Sequence, residues 1–196
     1  MHRGTIQVYD STAPHWAETR MEPGRAAGPL RAAAEFRSEV GTGLILDLGC
    51  GPARLMPALG SPVIGVDASV GMLGQAEASL LGRLVCGDLE ALPVAGGAAS
   101  GVFGNFSYQH LPREAFSLAL AEAARVLRRG GLLQLAVHAG ELEGDVRPDD
   151  DMPGRWFTYW TPGPLAQELA AVGFEVLRIV EDANTLRATA RLVASS

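Results

Sequence analysis

Residues 44–59 read LILDLGCGPARLMPAL, and this stretch restricts the possible folds most tightly. An apolar run, Leu44, Ile45, Leu46 and Leu48, breaks at Gly49-Cys50-Gly51, and a short helical set, Leu55, Met56 and Leu59, follows. A strand passing through a glycine turn into a helix leaves unpaired N–H groups at the helix start. No β-carbon shields the backbone at Gly49 or Gly51, so a ligand can come close. Asp47 sits just before the turn. Asp67 closes the next apolar run, Val63-Ile64-Gly65-Val66, where a carboxylate can accept both hydroxyls of a ribose.

A dinucleotide site has a related layout, with an acid about 20 residues beyond a G-x-G-x-x-G turn. That spacing puts Arg54 at the third glycine, and a guanidinium cannot lie against the first strand as a hydrogen does. The pattern of Asp47, Gly49 and Gly51 instead resembles the first motif of the class I S-adenosylmethionine-dependent methyltransferases. Ala53 stands where that family has its third glycine, and its methyl is expected to tighten the methionine end of the cofactor pocket. The run GVDASVGMLGQA resembles the second motif, which implies that Ala68 and Met72 flank the adenine. Asp88 and the Leu89 backbone match the position that receives the adenine amino group; the alternative for Asp88 is an ordinary loop or cap aspartate. ARVLRRGGLLQLAV resembles the family's helix-turn-strand with RVL-x-x-GG. Near the N-terminus, Tyr9 and Trp16 resemble a tyrosine-aromatic pattern that lies by the cofactor; otherwise these aromatics simply dock on the core. Cys50, in the turn, and Asn105, in the fourth strand, complete the implied cofactor set. The resemblance runs over 9–193 and implies S-adenosyl-L-methionine as cofactor, without naming the acceptor.

Composition adds bounds. The 196 residues suit one domain: an N-terminal arm and helix (1–40), a cofactor-binding half (41–139), then a lid, last helix and terminal hairpin (140–196). All 16 basic residues are arginine, and the formal charge of −6 disfavours a nucleic-acid partner. Cys50 and Cys86 read as reduced thiols, and with no stretch long enough to span a membrane the expectation is a soluble cytoplasmic protein, monomer or homodimer. No cluster of metal-ligand residues has the right spacing, so no metal is expected.

In order, 5–20 reads as a polar, aromatic arm and 26–40 as a weakly amphipathic helix. After Asp67, Ser69 caps a helix carrying Met72, Leu73, Ala76 and Leu80. Strands are expected at 83–88, 98–108 and 132–138. Between the last two, Phe116, Ala119, Leu120, Ala123, Val126 and Leu127 recur at helical spacing, with Arg128 and Arg129 at the helix end and Gly130-Gly131 stopping it. The polar segment 141–152 reads as a mobile loop over the site. Thr161 and Pro162 start a last helix, and 174–180 with 185–193 form a hairpin. The expected fold is a three-layer α/β/α Rossmann-like sheet of seven strands, mostly parallel, with a C-terminal antiparallel hairpin strand.

Methyl transfer from a sulfonium is an in-line displacement that needs alignment and dryness, and a base only for a protonated acceptor. His110 lies at the strand-end edge where open α/β sheets bind ligands. With an unperturbed pKa near 6.5 it is the candidate catalytic base; the alternative is a histidine that holds its loop. His138, at the end of the fifth strand, and the aromatic cluster 156–160 are candidates for the acceptor. Tyr159 and Trp160 can stack on a planar group and Arg155 can pair with an acidic one; otherwise the cluster is a lid on the core. The expected acceptor is a small molecule. A macromolecular acceptor (tRNA or protein), and a non-catalytic module that binds S-adenosylmethionine, are the alternatives.

Overall fold

The computed structural model describes residues 2–20, 23–145 and 150–193. Two helices, α1 (Arg3–Thr19) and α2 (Pro23–Val40), precede β1 (Ile45–Leu48), α3 (Met56–Leu59), β2 (Val63–Asp67), α4 (Val70–Leu73) and β3 (Leu84–Cys86). There follow β4 (Ala99–Asn105), α5 (Arg113–Val126), β5 (Leu127–His138), β6 (Glu143–Gly144), β7 (Phe157–Thr158), α6 (Pro162–Ala171), β8 (Phe174–Asp182) and β9 (Thr185–Leu192). The main sheet has the order β3-β2-β1-β4-β5-β9-β8. Pairing is parallel from β3 to β5, and β9 runs antiparallel to both β5 and β8. This is the seven-stranded arrangement expected from the sequence.

The parallel strands are apolar throughout because both their faces are covered. Alternate residues feed two clusters. Ile45, Phe103 and Leu132 join Phe36, Met56 and Leu59 on the side of α2 and α3. Leu46, Val102 and Leu133 join Phe116, Leu120, Leu165 and Leu169 on the side of α5 and α6. Arg37 fastens α2 to the strand entries: its guanidinium donates to the carbonyls of Leu59, Gly41, Gly43 and Pro62.

Four local expectations are corrected. The polar N-terminal arm is a 17-residue helix despite an internal Pro14. Only Thr5 and Ala13 of it are buried, and its docking is polar. Asp10 Oδ1 accepts from Ser69 Oγ at 2.6 Å and from Gly71 N at 2.9 Å. Second, the helix after Asp67 stops at Leu73, and a 3-10 turn at Ala78–Arg83 replaces its second half; Ser69 does cap it, accepting from Met72 N. Third, α5 ends at Val126, and 128–131 loop out between the Ala99–Leu127 and Gly101–Leu132 pairs. Arg128 and Arg129 thus lie beyond the helix, whose last-turn cation is Arg125. Fourth, both ends of the loop expected to be mobile are tied down. Glu143 pairs with Thr158, and Met152 is buried; 146–149 lie outside the described residues. Among the described residues no helix is long and apolar enough to cross a membrane.

The approach of α1 to α4 is close enough to test. A β-carbon on Gly71 would lie 2.7 Å from the Asp10 carbonyl oxygen and 2.9 Å from its Cα. Gly71→Val should therefore release α1 while leaving the sheet intact. Limited proteolysis should cut within Arg3–Thr19 faster while the rest of the chain stays resistant; equal cleavage rates would show that α1 is not held there.

Candidate functional site

The strand ends at the carboxyl edge of the sheet open into a cleft of about 450 Å³, roofed by α1. This lies within the ~300–1,000 Å³ span of small-ligand sites. Its floor is the glycine turn. Gly49 and Gly51 have φ of 70° and 53°, a region that glycine occupies without strain. The space left by Gly49 is filled by protein, since a β-carbon there would lie 2.2 Å from Ser107 Cβ. Ser107 Oγ in turn donates to the Leu48 carbonyl at 2.7 Å. Ala53, where a third glycine was expected, also has a positive φ, 61°. Its methyl is buried in the cluster with Phe36 and Met56 and not in the cleft, so the expected tightening around the cofactor does not occur.

Asp67 organises the turn. Its Oδ2 accepts from Gly51 N at 2.7 Å and its Oδ1 from Ser69 N at 2.8 Å. Burial pushes its carboxyl up, while these backbone N–H groups pull it down. Asp47, on β1, is buried and its Oδ2 has no hydrogen-bond partner among the described residues. Desolvation and the neighbouring Asp67 push its carboxyl up to about 7. Asn105 Oδ1 likewise lacks a partner. Cys50 and Met72 line the same wall, and burial pushes the Cys50 thiol up. Two orphaned acceptor oxygens and two carboxylates make this end of the cleft a place for a cationic, donor-rich ligand.

The other end is aromatic. Tyr9, Phe106, His110, His138 and Phe157 line it together with Arg155. His110 is buried, and its Nδ1 lies 2.7 Å from the Trp156 carbonyl, which can only accept; Nδ1 therefore carries the proton. Nε2, 2.9 Å away, accepts from the Tyr9 hydroxyl, whose oxygen accepts from Arg155 Nη1 at 3.1 Å. Arg155 is itself ion-paired with Asp150, both side chains being buried, and its Nε donates to the Met152 carbonyl at 3.1 Å. Burial, above all, brings the His110 pKa down to about 3. The expected general base is thus a neutral ring whose free nitrogen is already occupied. Arg155 does not stand free for an acidic substrate: its charge is met by Asp150 and it orients Tyr9.

Other expectations fall outside the cleft. Trp160 is 2% exposed, packed 4.4 Å from the Phe116 ring with Arg113 over its face, and belongs to the core. Leu89 is buried in the main cluster. Tyr159 stacks on His138 at 4.9 Å from behind the lining. Asp88 accepts from Glu90 N in its own turn, and neither it nor Ala68 reaches the enclosed volume. Conversely, Ile6, Arg54, Phe106 and Gln109 line the cleft without having been singled out. Phe106 carries the strained φ of 58° that, with no glycine or proline at this position, the sequence does not signal. No cluster of three metal-ligating side chains occurs among the described residues.

The family profile described as "Methyltransferase domain" matches residues 45–131. A malonyl-[acyl-carrier protein] O-methyltransferase of Methylococcus capsulatus is 30% identical over 190 residues, covering 84% of this chain and 67% of that protein. The chain belongs to the class I S-adenosylmethionine-dependent methyltransferases. A second O-methyltransferase of the same name, from a Methylovorus strain, is 32% identical over 159 residues. It is matched over 67% of this chain and 53% of its own length, so this methyltransferase spans about half of that relative. The fold is also that of a Burkholderia thailandensis 1,6-didemethyltoxoflavin-N1-methyltransferase, solved with 1,6-didemethyltoxoflavin and S-adenosylhomocysteine. That likeness has a TM-score of 0.73 at 20% identity, over 96% of this chain and 88% of the other. S-adenosylmethionine, the family's cofactor, carries a sulfonium and an ammonium, which suit the acidic end of the methyltransferase's cleft.

The buried Asp47 makes the ligand-free methyltransferase sensitive to pH. Its folded pKa lies above the unfolded value near 3.9, so the folded state holds the extra proton. Stability therefore falls as pH rises from about 4 to about 7 and levels off above that window. Asp47→Asn should match the parent near pH 4 and melt higher at pH 8, as scanning calorimetry across that range can check. A difference that does not vary with pH would remove Asp47 as the cause.

Proposed function

We propose that the methyl acceptor is a carboxylate, borne by a small acid or by a short acyl group held as a thioester. The state of His110 carries this reading. Its pKa of about 3 and its occupied Nε2 leave it no part as a base at neutral pH. Burial also keeps the Tyr9 hydroxyl protonated. A carboxylate is already ionised and needs no proton removed. The two relatives named as malonyl-carrier O-methyltransferases support the same class of acceptor.

Bound S-adenosylmethionine supplies an electrophilic methyl on a positive sulfur. The chain's own part is to bind, orient and exclude water. Asp67 keeps lone pairs free beyond its two backbone bonds and is assigned the ribose hydroxyls. The orphaned oxygens of Asp47 and Asn105 are assigned the ammonium, with the turn from Gly49 through Cys50 to Gly51 beneath. Met72 is assigned the base, and Ala68, Asp88 and the Leu89 backbone its outer rim. At the other end, Phe106, His138 and Phe157 wall the acceptor, while Arg155, Tyr9 and His110 hold the roof to the wall.

Two experiments test these roles. Asp67→Ala should weaken S-adenosylhomocysteine binding by about 2–3 kcal/mol in titration calorimetry, the scale for hydrogen bonds to a charged acceptor. An unchanged affinity in the folded variant would sink the ribose assignment. With methyl-labelled cofactor and a malonyl thioester or free malonate, label should appear as a methyl ester that alkali releases as methanol. With saturating cofactor, whose ammonium holds Asp47 ionised, turnover should be flat between about pH 6 and 9, because no catalytic base titrates in that range. Alkali-stable label, or a limb in the profile, would point to a nitrogen, carbon or hydroxyl acceptor.

A further inference from the structure

Gln109 has no part in the hydrogen-bond network described above, yet it lines the same cleft. It sits in the 3-10 turn Tyr108–His110 that follows β4, it lines the cleft, and it is only 4% exposed. Its Oε1 is fully buried with no hydrogen-bond partner among the described residues. Leaving a buried amide oxygen unpaired costs about 1–3 kcal/mol, and such groups are rare unless something else completes them. The unpaired oxygens of Asp47 and Asn105 are accounted for by the cofactor's ammonium. Arg54 Nε, also without a partner among the described residues, belongs to a guanidinium that lies under α1 and donates from Nη2 to the Ala17 carbonyl at 3.4 Å. Gln109 instead adjoins His110, whose ring lies 4.8 Å from that of Phe157.

We infer that the Gln109 amide recognises the acceptor and sets its orientation. An amide presents one acceptor and two donors, and rotation about its last bond exchanges the ends. Against a carboxylate the amide turns over, so that Nε2 takes the unpaired position, donates to one oxygen and leaves the other free to attack. Arg155 cannot take this task, because Asp150, Met152 and Tyr9 already engage its guanidinium. The neutral amide also fixes an anion without neutralising it, which preserves its nucleophilicity. This inference rests on the acceptor end assigned above and deepens it, but holds equally for a carbonyl or amide group there.

The test compares the parent with Gln109→Met, which keeps length and removes both polar ends. Both proteins, saturated with S-adenosylhomocysteine, are titrated with a malonyl N-acetylcysteamine thioester, with malonate and with neutral malonamide. The affinity of a probe that binds should fall roughly 10- to 100-fold in the variant, the range for a hydrogen bond to a charged group. S-adenosylhomocysteine affinity should be unchanged, and the melting temperature equal or higher, because an unpaired amide has been removed. Loss of binding confined to malonamide supports Gln109 and overturns the carboxylate acceptor. Equal affinities in both proteins, binding of no probe to either, or a parallel loss of cofactor affinity overturns the role of Gln109.

Discussion

The site depends on a missing β-carbon at Gly49. Only a hydrogen there lets Ser107 lie against the glycine turn, at a distance where a side chain would collide. Ser107 then bonds the Leu48 carbonyl and ties the end of β4 to the end of β1. Between Asn105 and Ser107 the chain turns sharply, with Phe106 in a left-handed conformation. Asn105, Phe106, Gln109 and His110 all reach the cleft from this one junction. The glycine that a ligand-binding motif demands is thus also a packing requirement between two strands.

A second constraint comes from the roof. Helix α1 buries little apolar surface, so its place is set by directed polar bonds: Asp10 to the start of α4, Thr5 to the Trp156 backbone, and Tyr9 to His110 and Arg155. Such contacts contribute modestly in net terms but fix orientation well. The ion pair between Arg155 and Asp150 is buried, which is costly for isolated charges and tolerable here because the guanidinium also bonds Met152 and Tyr9. The resulting chain of donors and acceptors runs one way, from Arg155 through Tyr9 and His110 to the Trp156 carbonyl. It leaves His110 no vacant nitrogen, and this favours an acceptor that arrives already ionised.

Much of the fold was legible in the chain. Strands buried on both faces read as short apolar runs, and the terminal hairpin announced itself by two β-rich runs around Asp182-Ala183-Asn184. The helical nature of α1 was not legible, because its apolar stripe is weak and Pro14 interrupts it. The end of α5 was misplaced for a related reason. Arg128, Arg129 and the glycines read as a helix stop, whereas the register between β4 and β5 makes them a bulge. The aromatic cluster divided unexpectedly: Phe157 faces the cleft and Trp160 the core, as the alternation along an extended segment dictates.

By itself, the sequence determined the strand-turn-helix at 44–59, the acids Asp47 and Asp67 at the strand ends, and hence the fold and the cofactor class. Those features are local, and the chemistry follows from residues a few positions apart. Tertiary structure alone decided that His110 is neutral and engaged, because its partner Tyr9 lies 101 residues away in the chain. It alone decided that Arg155 is already paired and that Trp160 is core. It also singled out Gln109, an ordinary polar residue in the sequence, by burying its amide oxygen without a partner among the described residues. Protonation and hydrogen-bond satisfaction depend on what distant segments bring together and on how much water they expel.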